Sequence, residues 1–267
     1  MNRIEKTFIN NKKKVFIAYI VCGDPDIHTT VKIMNTLVDS GVDLIELGVP
    51  FTDPIADGPT IQKSIERSLK KNTSLNDVFD VCNKFRAKNK TTPLVLMGYL
   101  NPIENLGYKK FSKIAVQSGV DGVLVVDSPP EESSVLSTVL KEYKICNIYL
   151  ASPTTSKSRL ETIINTSNGY LYYVSLKGIT GSKISNIKSI EQNINMIKKI
   201  KKNDLPVVVG FGIKDKKTAK EISKISDGVI IGSSFVKIIE ENLHNKQRMV
   251  DNINKYAVKI KTSIVNK

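Results

Sequence analysis

Short apolar runs rich in Val, Ile and Leu recur about every 25 to 35 residues along the chain, each followed by a loop and then a longer stretch with apolar residues three or four apart. The runs predict strands over Val15–Val21, Asp43–Gly48, Pro93–Met97, Gly122–Asp127, Asn147–Ala151, Tyr170–Ser175, Pro206–Gly210 and Gly228–Gly232. Between them, Ile61, Ile65 and Leu69 form an i, i+4, i+8 stripe behind Pro59. Ile194, Met196 and Ile197 line the segment before the seventh strand, and Ala219, Ile222 and Ile225 follow an N-cap at Asp215. These segments read as crossover helices. The strands carry little polar alternation, as expected of a parallel sheet covered by helices on its outer face. Eight strand–helix units in about 250 residues close naturally as a (β/α)8 barrel, with an open doubly wound sheet as the structural competitor. No Pro-, Gly- or Ser-rich linker interrupts the rhythm, so residues 1–267 read as one domain.

In such barrels the chemistry sits at the C-terminal ends of the strands and in the loops that follow. The second strand places Glu46 inside an apolar run, on the same face as Leu44 and Gly48 by the two-residue period. Desolvation disfavours the charged form of a buried Glu, so its pKa should rise until it can both donate and accept a proton near neutrality. Pairing with a Lys or a backbone donor is the alternative for a lone strand Glu. The loop that follows, Val49 to Pro59, adds Asp53 and Asp57 and is held by three prolines. Asp57 or Gly58 also suits the N-cap of a helix whose first residue is Pro59, and Asp53 before Pro54 suits a turn. Two carboxylates in different environments, facing one substrate, can separate acid from base roles.

The late loops suit an anion. Gly210, Gly212, Gly232 and Ser233 fall at the ends of the last two strands, where backbone amides and a helix N-terminus commonly cradle phosphate in barrels. The long loop after the sixth strand carries Gly178 and Gly181, which suits a lid.

Charge and cysteine content narrow the alternatives. A balance of 40 Lys+Arg against 26 Asp+Glu gives +14, which raises a nucleic-acid or anionic-surface binder as a non-enzymatic reading. Yet lysines such as Lys63, Lys84, Lys113, Lys202, Lys220 and Lys259 are scattered through nearly every helix and seldom interleave with aromatics, so no base-stacking platform forms and no nucleic-acid partner is expected. Cys22, Cys82 and Cys146 have no CxxC spacing, and only His28 and His244 could join them, so neither a disulfide framework nor a zinc site is predicted. A reducing cytoplasm is the expected location. Lys12–Lys14 with the following apolar run imitates a signal peptide but continues into Gly23-Asp24-Pro25 with no cleavage site. No run approaches the ~18 apolar residues needed to cross a bilayer, and no membrane association is expected.

The run from Leu44 through Glu46, Pro50-Phe51-Thr52-Asp53-Pro54 and Ala56-Asp57-Gly58-Pro59 resembles the signature of the tryptophan synthase alpha chain family. Further landmarks follow in the family's order: Gly23-Asp24-Pro25, Met97-Gly98-Tyr99-Leu100-Asn101-Pro102, Asp127, Gly178-Ile179-Thr180-Gly181, Gly210-Phe211-Gly212 and Gly232-Ser233-Ser234. The resemblance spans nearly the whole chain. It implies retro-aldol cleavage of indole-3-glycerol phosphate to indole and glyceraldehyde 3-phosphate. Glu46 would make both proton transfers and Asp57 would face the indole N–H. Tyr19, Leu100 and Phe211 would form walls, and Tyr172 and Thr180 would position substrate and lid. Gly181, Gly212, Gly232 and Ser233 would hold the phosphate. No metal or organic cofactor is implied for this chain. The implied partner is a beta chain carrying pyridoxal phosphate, in a tetramer of two alpha and two beta chains, with Asp53, Asn101, Pro102 and Asp127 on the docking face. Leu176 stands where the family often has Arg. A free-standing indole-releasing lyase with the same site is the competing enzyme reading.

Overall fold

The computed structural model describes residues 2–10, 14–175, 187–200, 204–210 and 212–265. Eight parallel strands close into a barrel in sequence order: β1 (Val15–Val21), β2 (Leu44–Gly48), β3 (Leu94–Gly98), β4 (Gly122–Val125), β5 (Cys146–Ala151), β6 (Leu171–Val174), β7 (Val207–Gly210) and β8 (Gly228–Ile231). The (β/α)8 expectation is met and the open sheet is excluded, because β1 pairs with both β2 and β8. The expected strands agree with the observed ones to within two residues at either end.

Twelve helices lie among the described residues, more than eight crossovers need. They are α1 (Arg3–Asn10), α2 (Ile27–Asp39), α3 (Pro59–Leu69), α4 (Leu75–Lys88), α5 (Leu100–Leu106), α6 (Tyr108–Gln117), α7 (Ser134–Glu142), α8 (Lys157–Thr166), α9 (Ile187–Ile200), α10 (Lys216–Ile225), α11 (Ser233–Glu241) and α12 (Lys246–Val265). Asp215 caps α10 by accepting from Thr218 N at 2.9 Å, as its position predicts. One expected core position is corrected: in α9, Ile194 and Ile197 are buried while Met196 turns outward, because the 3.6-residue period cannot bring all three to one face.

The strands are apolar throughout because both faces are covered. One set, including Phe16, Ala18, Ile45, Leu47, Leu96, Tyr173 and Val209, packs under the helices. The alternate set, including Ile17, Tyr19, Leu44, Val95, Tyr170, Tyr172 and Val208, fills the barrel. Helix α1 closes the N-terminal end, with Ile4 fully buried in the interior cluster and Phe8 against Tyr170 at 5.9 Å between ring centres. The three cysteines are buried thiols, and burial pushes Cys82 and Cys146 up to about 12. The lysines named above are solvated helix-face residues wherever described, as the scatter predicts.

Candidate active site

Glu46 sits at the centre of β2, in register with Tyr19 of β1 and Val95 of β3, on the inward face. It is 0% exposed. Tyr170, just before β6, donates its hydroxyl to Glu46 Oε1 across the barrel, while Oε2 has no hydrogen-bond partner among the described residues. No cation among the described residues pairs with this carboxyl; burial raises its pKa to about 7, with the Tyr170 bond opposing the shift. Among the described residues its partner is thus a phenol rather than a lysine. A carboxyl with that pKa is divided between its acid and base forms near neutrality.

Asp57 lies in the loop between β2 and α3. Gly58, not Asp57, is the N-cap of α3, with Pro59 in its first turn. That frees the Asp57 carboxylate, which accepts from Tyr99 Oη at 2.7 Å. The same phenolic oxygen accepts from Ala56 N at 3.0 Å, and the Tyr99 ring packs on Phe51 at 5.3 Å. Tyr99, at the end of β3, therefore holds the loop at its backbone and at its carboxylate. Burial raises the Asp57 pKa, and the Tyr99 bond works against that rise.

Tyr19 and Tyr172 line the interior beside the two carboxyls, and both phenols are held well above their ordinary pKa, first by burial and then by the negative fields of Glu46 and Asp57. Their rings explain two strand-end glycines. A Cβ at Gly210 would meet Tyr172 Cζ at 2.6 Å, and one at Gly48 would meet Tyr19 Cζ at 2.9 Å. Gly210 thus has a packing reason in addition to the anion-loop reading.

At the end of β8, Gly232 is the N-cap of α11 and Ser233 its first residue, so the first-turn amides open toward the mouth of the barrel. Gly212 follows β7 at φ 76°. Leu100 opens α5, packs against the helix–sheet layer and donates its N–H to Asp127 Oδ1 at 2.8 Å. Asp53, Asn101 and Asp127 are exposed and Pro102 is half-buried, all in loops or helix starts that follow strands at the same end of the barrel. Leu176, Thr180, Gly181 and Phe211 lie outside the described residues.

Sequence reasoning missed Tyr170 and Tyr99. Tyr170 shares its inward face with Tyr172 by the two-residue period, which was the available signal; nothing local marks Tyr99, whose partner lies 42 residues away. It also missed Ile55, a large apolar side chain 84% exposed in the Asp57 loop. Among the described residues no cluster of three or more His, Cys, Asp or Glu is placed to hold a metal, and no helix is long and apolar enough to cross a membrane.

Comparison with known proteins bears on this geometry directly. The family model described as tryptophan synthase alpha chain matches residues 6–265. The tryptophan synthase alpha chain of Vesicomyosocius okutanii is 46% identical over 266 residues, covering 99% of this chain and 100% of the relative. That of Nitrosomonas europaea is 49% identical over 245 residues, covering 91% and 88%. The crystal structure of tryptophan synthase subunit alpha from Legionella pneumophila superposes with a TM-score of 0.91 at 40% identity, covering 99% of this chain and 98% of that one. A chain of the tryptophan synthase complex from Pyrococcus furiosus gives 0.82 at 33% identity, over 94% and 99%. With barrel, motif order and full-length identity in agreement, this chain belongs to the tryptophan synthase alpha chain family.

Proposed function

We propose that the chain cleaves indole-3-glycerol phosphate to indole and D-glyceraldehyde 3-phosphate as the alpha subunit of tryptophan synthase, with Glu46 moving both protons. The observation that carries this reading is a fully buried carboxyl bonded to a phenol, with no ion pair among the described residues, inside a barrel whose last strand runs into a helix N-terminus. Protonated Glu46 gives its proton to the ring carbon that bears the glycerol chain. Positive charge then develops on the ring nitrogen, where the Asp57 carboxylate accepts the N–H. As carboxylate, Glu46 next takes the proton of the hydroxyl on the adjoining carbon. The carbon–carbon bond breaks, its electron pair returns to the ring, and the hydroxyl carbon leaves as an aldehyde. Glu46 ends protonated, as it began.

The first-turn amides of α11, with Gly232 and Ser233, hold the phosphate together with Gly212; Tyr19 and Tyr172 shape the pocket. The partner is a beta chain, and pyridoxal phosphate is its cofactor rather than this chain's. The exposed Ile55, Asp53, Asn101 and Asp127 give such a partner an apolar and acidic surface at the active end. Residues 1–267 act as one domain, and a cytoplasmic location suits a biosynthetic enzyme with three buried thiols. The test is indole release by the isolated chain, repeated with a beta chain added. Strong stimulation is expected; high activity unchanged by the beta chain would instead establish the free-standing lyase.

A further inference from the structure

We propose that the Tyr19 hydroxyl is a polar contact to the glycerol chain of the substrate, donating to the hydroxyl that is retained in glyceraldehyde 3-phosphate. The inference rests on the reading of Glu46, Asp57 and the phosphate cup given above, and it gives a task to the hydroxyl of a residue which that reading uses only as a wall.

Strand order supplies the first step. Strand β1 lies between β8 and β2. A substrate anchored by its phosphate at Gly232 and Ser233, beyond β8, and by its ring at Glu46 and Asp57, on and after β2, must pass its middle over the end of β1. Tyr19 faces inward two residues before that end, in register with Glu46 itself, followed on the same face by Val21. Its ring spans the same gap. A Cβ on Gly232 would meet Tyr19 Cδ1 at 3.0 Å, and one on Gly48, at the end of β2, would meet Cζ at 2.9 Å. The ring therefore runs from the phosphate side toward the carboxylate side and ends in its hydroxyl.

The second step is the state of that hydroxyl. Tyr19 is only 7% exposed. Its two neighbours of the same type are engaged, Tyr170 on Glu46 and Tyr99 on Asp57 and Ala56. Tyr19 Oη has no hydrogen-bond partner among the described residues. The ring is buried, but the hydroxyl oxygen is not among the sealed, unpartnered polar atoms of the described residues, so it stays open to a substrate oxygen at the mouth. Two segments of the glycerol chain offer oxygens at this place. The hydroxyl on the breaking bond goes to Glu46, which leaves its neighbour for Tyr19.

The experiment compares wild type with Tyr19→Phe in the complex with the beta chain, using two ligands. One is indole-3-glycerol phosphate, read as kcat/KM for indole release. The other is 3-(indol-3-yl)propyl phosphate, which keeps ring and phosphate but lacks both hydroxyls, read as Kd by calorimetry. The expected result is a fall of about tenfold in kcat/KM with the analogue's Kd unchanged within twofold. Retention of kcat/KM within twofold would overturn the inference, and so would equal losses with both ligands, which would reduce Tyr19 to an apolar wall. Tight analogue binding by the variant also shows that it is folded. Glu46→Gln is assayed alongside: if it turns over normally the underlying site reading fails, whereas an inactive Glu46→Gln with an unaffected Tyr19→Phe removes only the role of the phenol.

Discussion

Both ends of the barrel bury carboxylates, and they balance the charge in opposite ways. At the closed end, Asp121 precedes β4 and is 4% exposed. Its Oδ1 accepts from Arg3 at 2.8 Å, and its Oδ2 accepts from Arg86 at 2.8 Å and from Leu94 N at 2.9 Å. The motif repeats before each even strand. Asp43 accepts from Phe16 N, Asn168 from Asn147 N and Asp227 from Val207 N, so each ties its own strand to the one before it. Asp43 adds an ion pair to Lys261 of α12. At the open end, Glu46 and Asp57 have phenols as hydrogen-bond partners and no ion pair among the described residues. A buried carboxylate surrounded by donors and cations has its oxygens committed to those partners and serves as a tie. One that meets only a neutral donor keeps its proton within reach and can serve as a reagent. A cleft of about 950 Å³ also opens at the closed end beside Arg3, Lys90 and Asp121, but its carboxylates are all committed to ties.

The contrast can be broken by exchanging what each end loses. Glu46→Gln should reduce indole release at least ~10²-fold, and up to ~10⁴-fold, because a positioned proton-transfer group contributes that much. Its urea midpoint should stay at or above that of wild type, since a buried unpaired carboxyl is removed. Asp57→Asn should also be severely impaired, because an amide cannot supply the anionic charge. Asp121→Ala should do the reverse. Leaving Arg86 buried without its partner should cost about 3 kcal/mol of stability in urea titration, while turnover per folded molecule stays within about twofold. If Asp121→Ala abolished turnover without loss of stability, the division between tie and reagent would not hold.

A smaller effect sharpens the picture at the open end. Tyr99→Phe deletes the donor that opposes the burial-driven rise of the Asp57 pKa. The Asp57 pKa should then climb further, so the acid limb of the kcat/KM profile should move to higher pH. Activity should fall a few-fold on the acid side and recover toward wild type as pH rises through the new value. An acid limb that stayed in place would mean that Tyr99 holds the loop without tuning its carboxylate.

The barrel was legible because strand and helix periods are local, and because covered parallel strands are apolar on both faces. Glu46 was legible for the same reason: one carboxylate inside Leu44-Ile45-Glu46-Leu47-Gly48 breaks a pattern that nothing else in the strand breaks. Asp57 emerged from its proline-held loop. What stayed hidden was pairing across distance. Tyr170 lies 124 residues from Glu46 and Tyr99 lies 42 from Asp57, and no local period links either pair. The ties at the closed end were hidden too, since an Asp before a strand reads as an ordinary turn residue until barrel closure brings the neighbouring strand's N–H to it. Helix α1 was missed because its contribution, Ile4 plugging the interior, comes from a short segment whose burial depends entirely on the barrel. Charge misled at first for the opposite reason: +14 is a global sum, whereas the proposed chemistry rests on two residues of the minority sign.

The claim on which the rest depends is that Glu46 reaches catalysis with a proton it can both give and take back. Carboxyl ¹³C chemical shifts of glutamate-labelled protein, recorded from pH 4 to 9 in wild type and in Glu46→Gln, isolate that single side chain by difference. A midpoint near 7 is the result expected from a buried carboxyl opposed only by the Tyr170 hydroxyl. A midpoint near the ordinary glutamate value of ~4.3 would contradict it, because a fully ionised Glu46 has no proton to deliver to the indole ring at neutral pH.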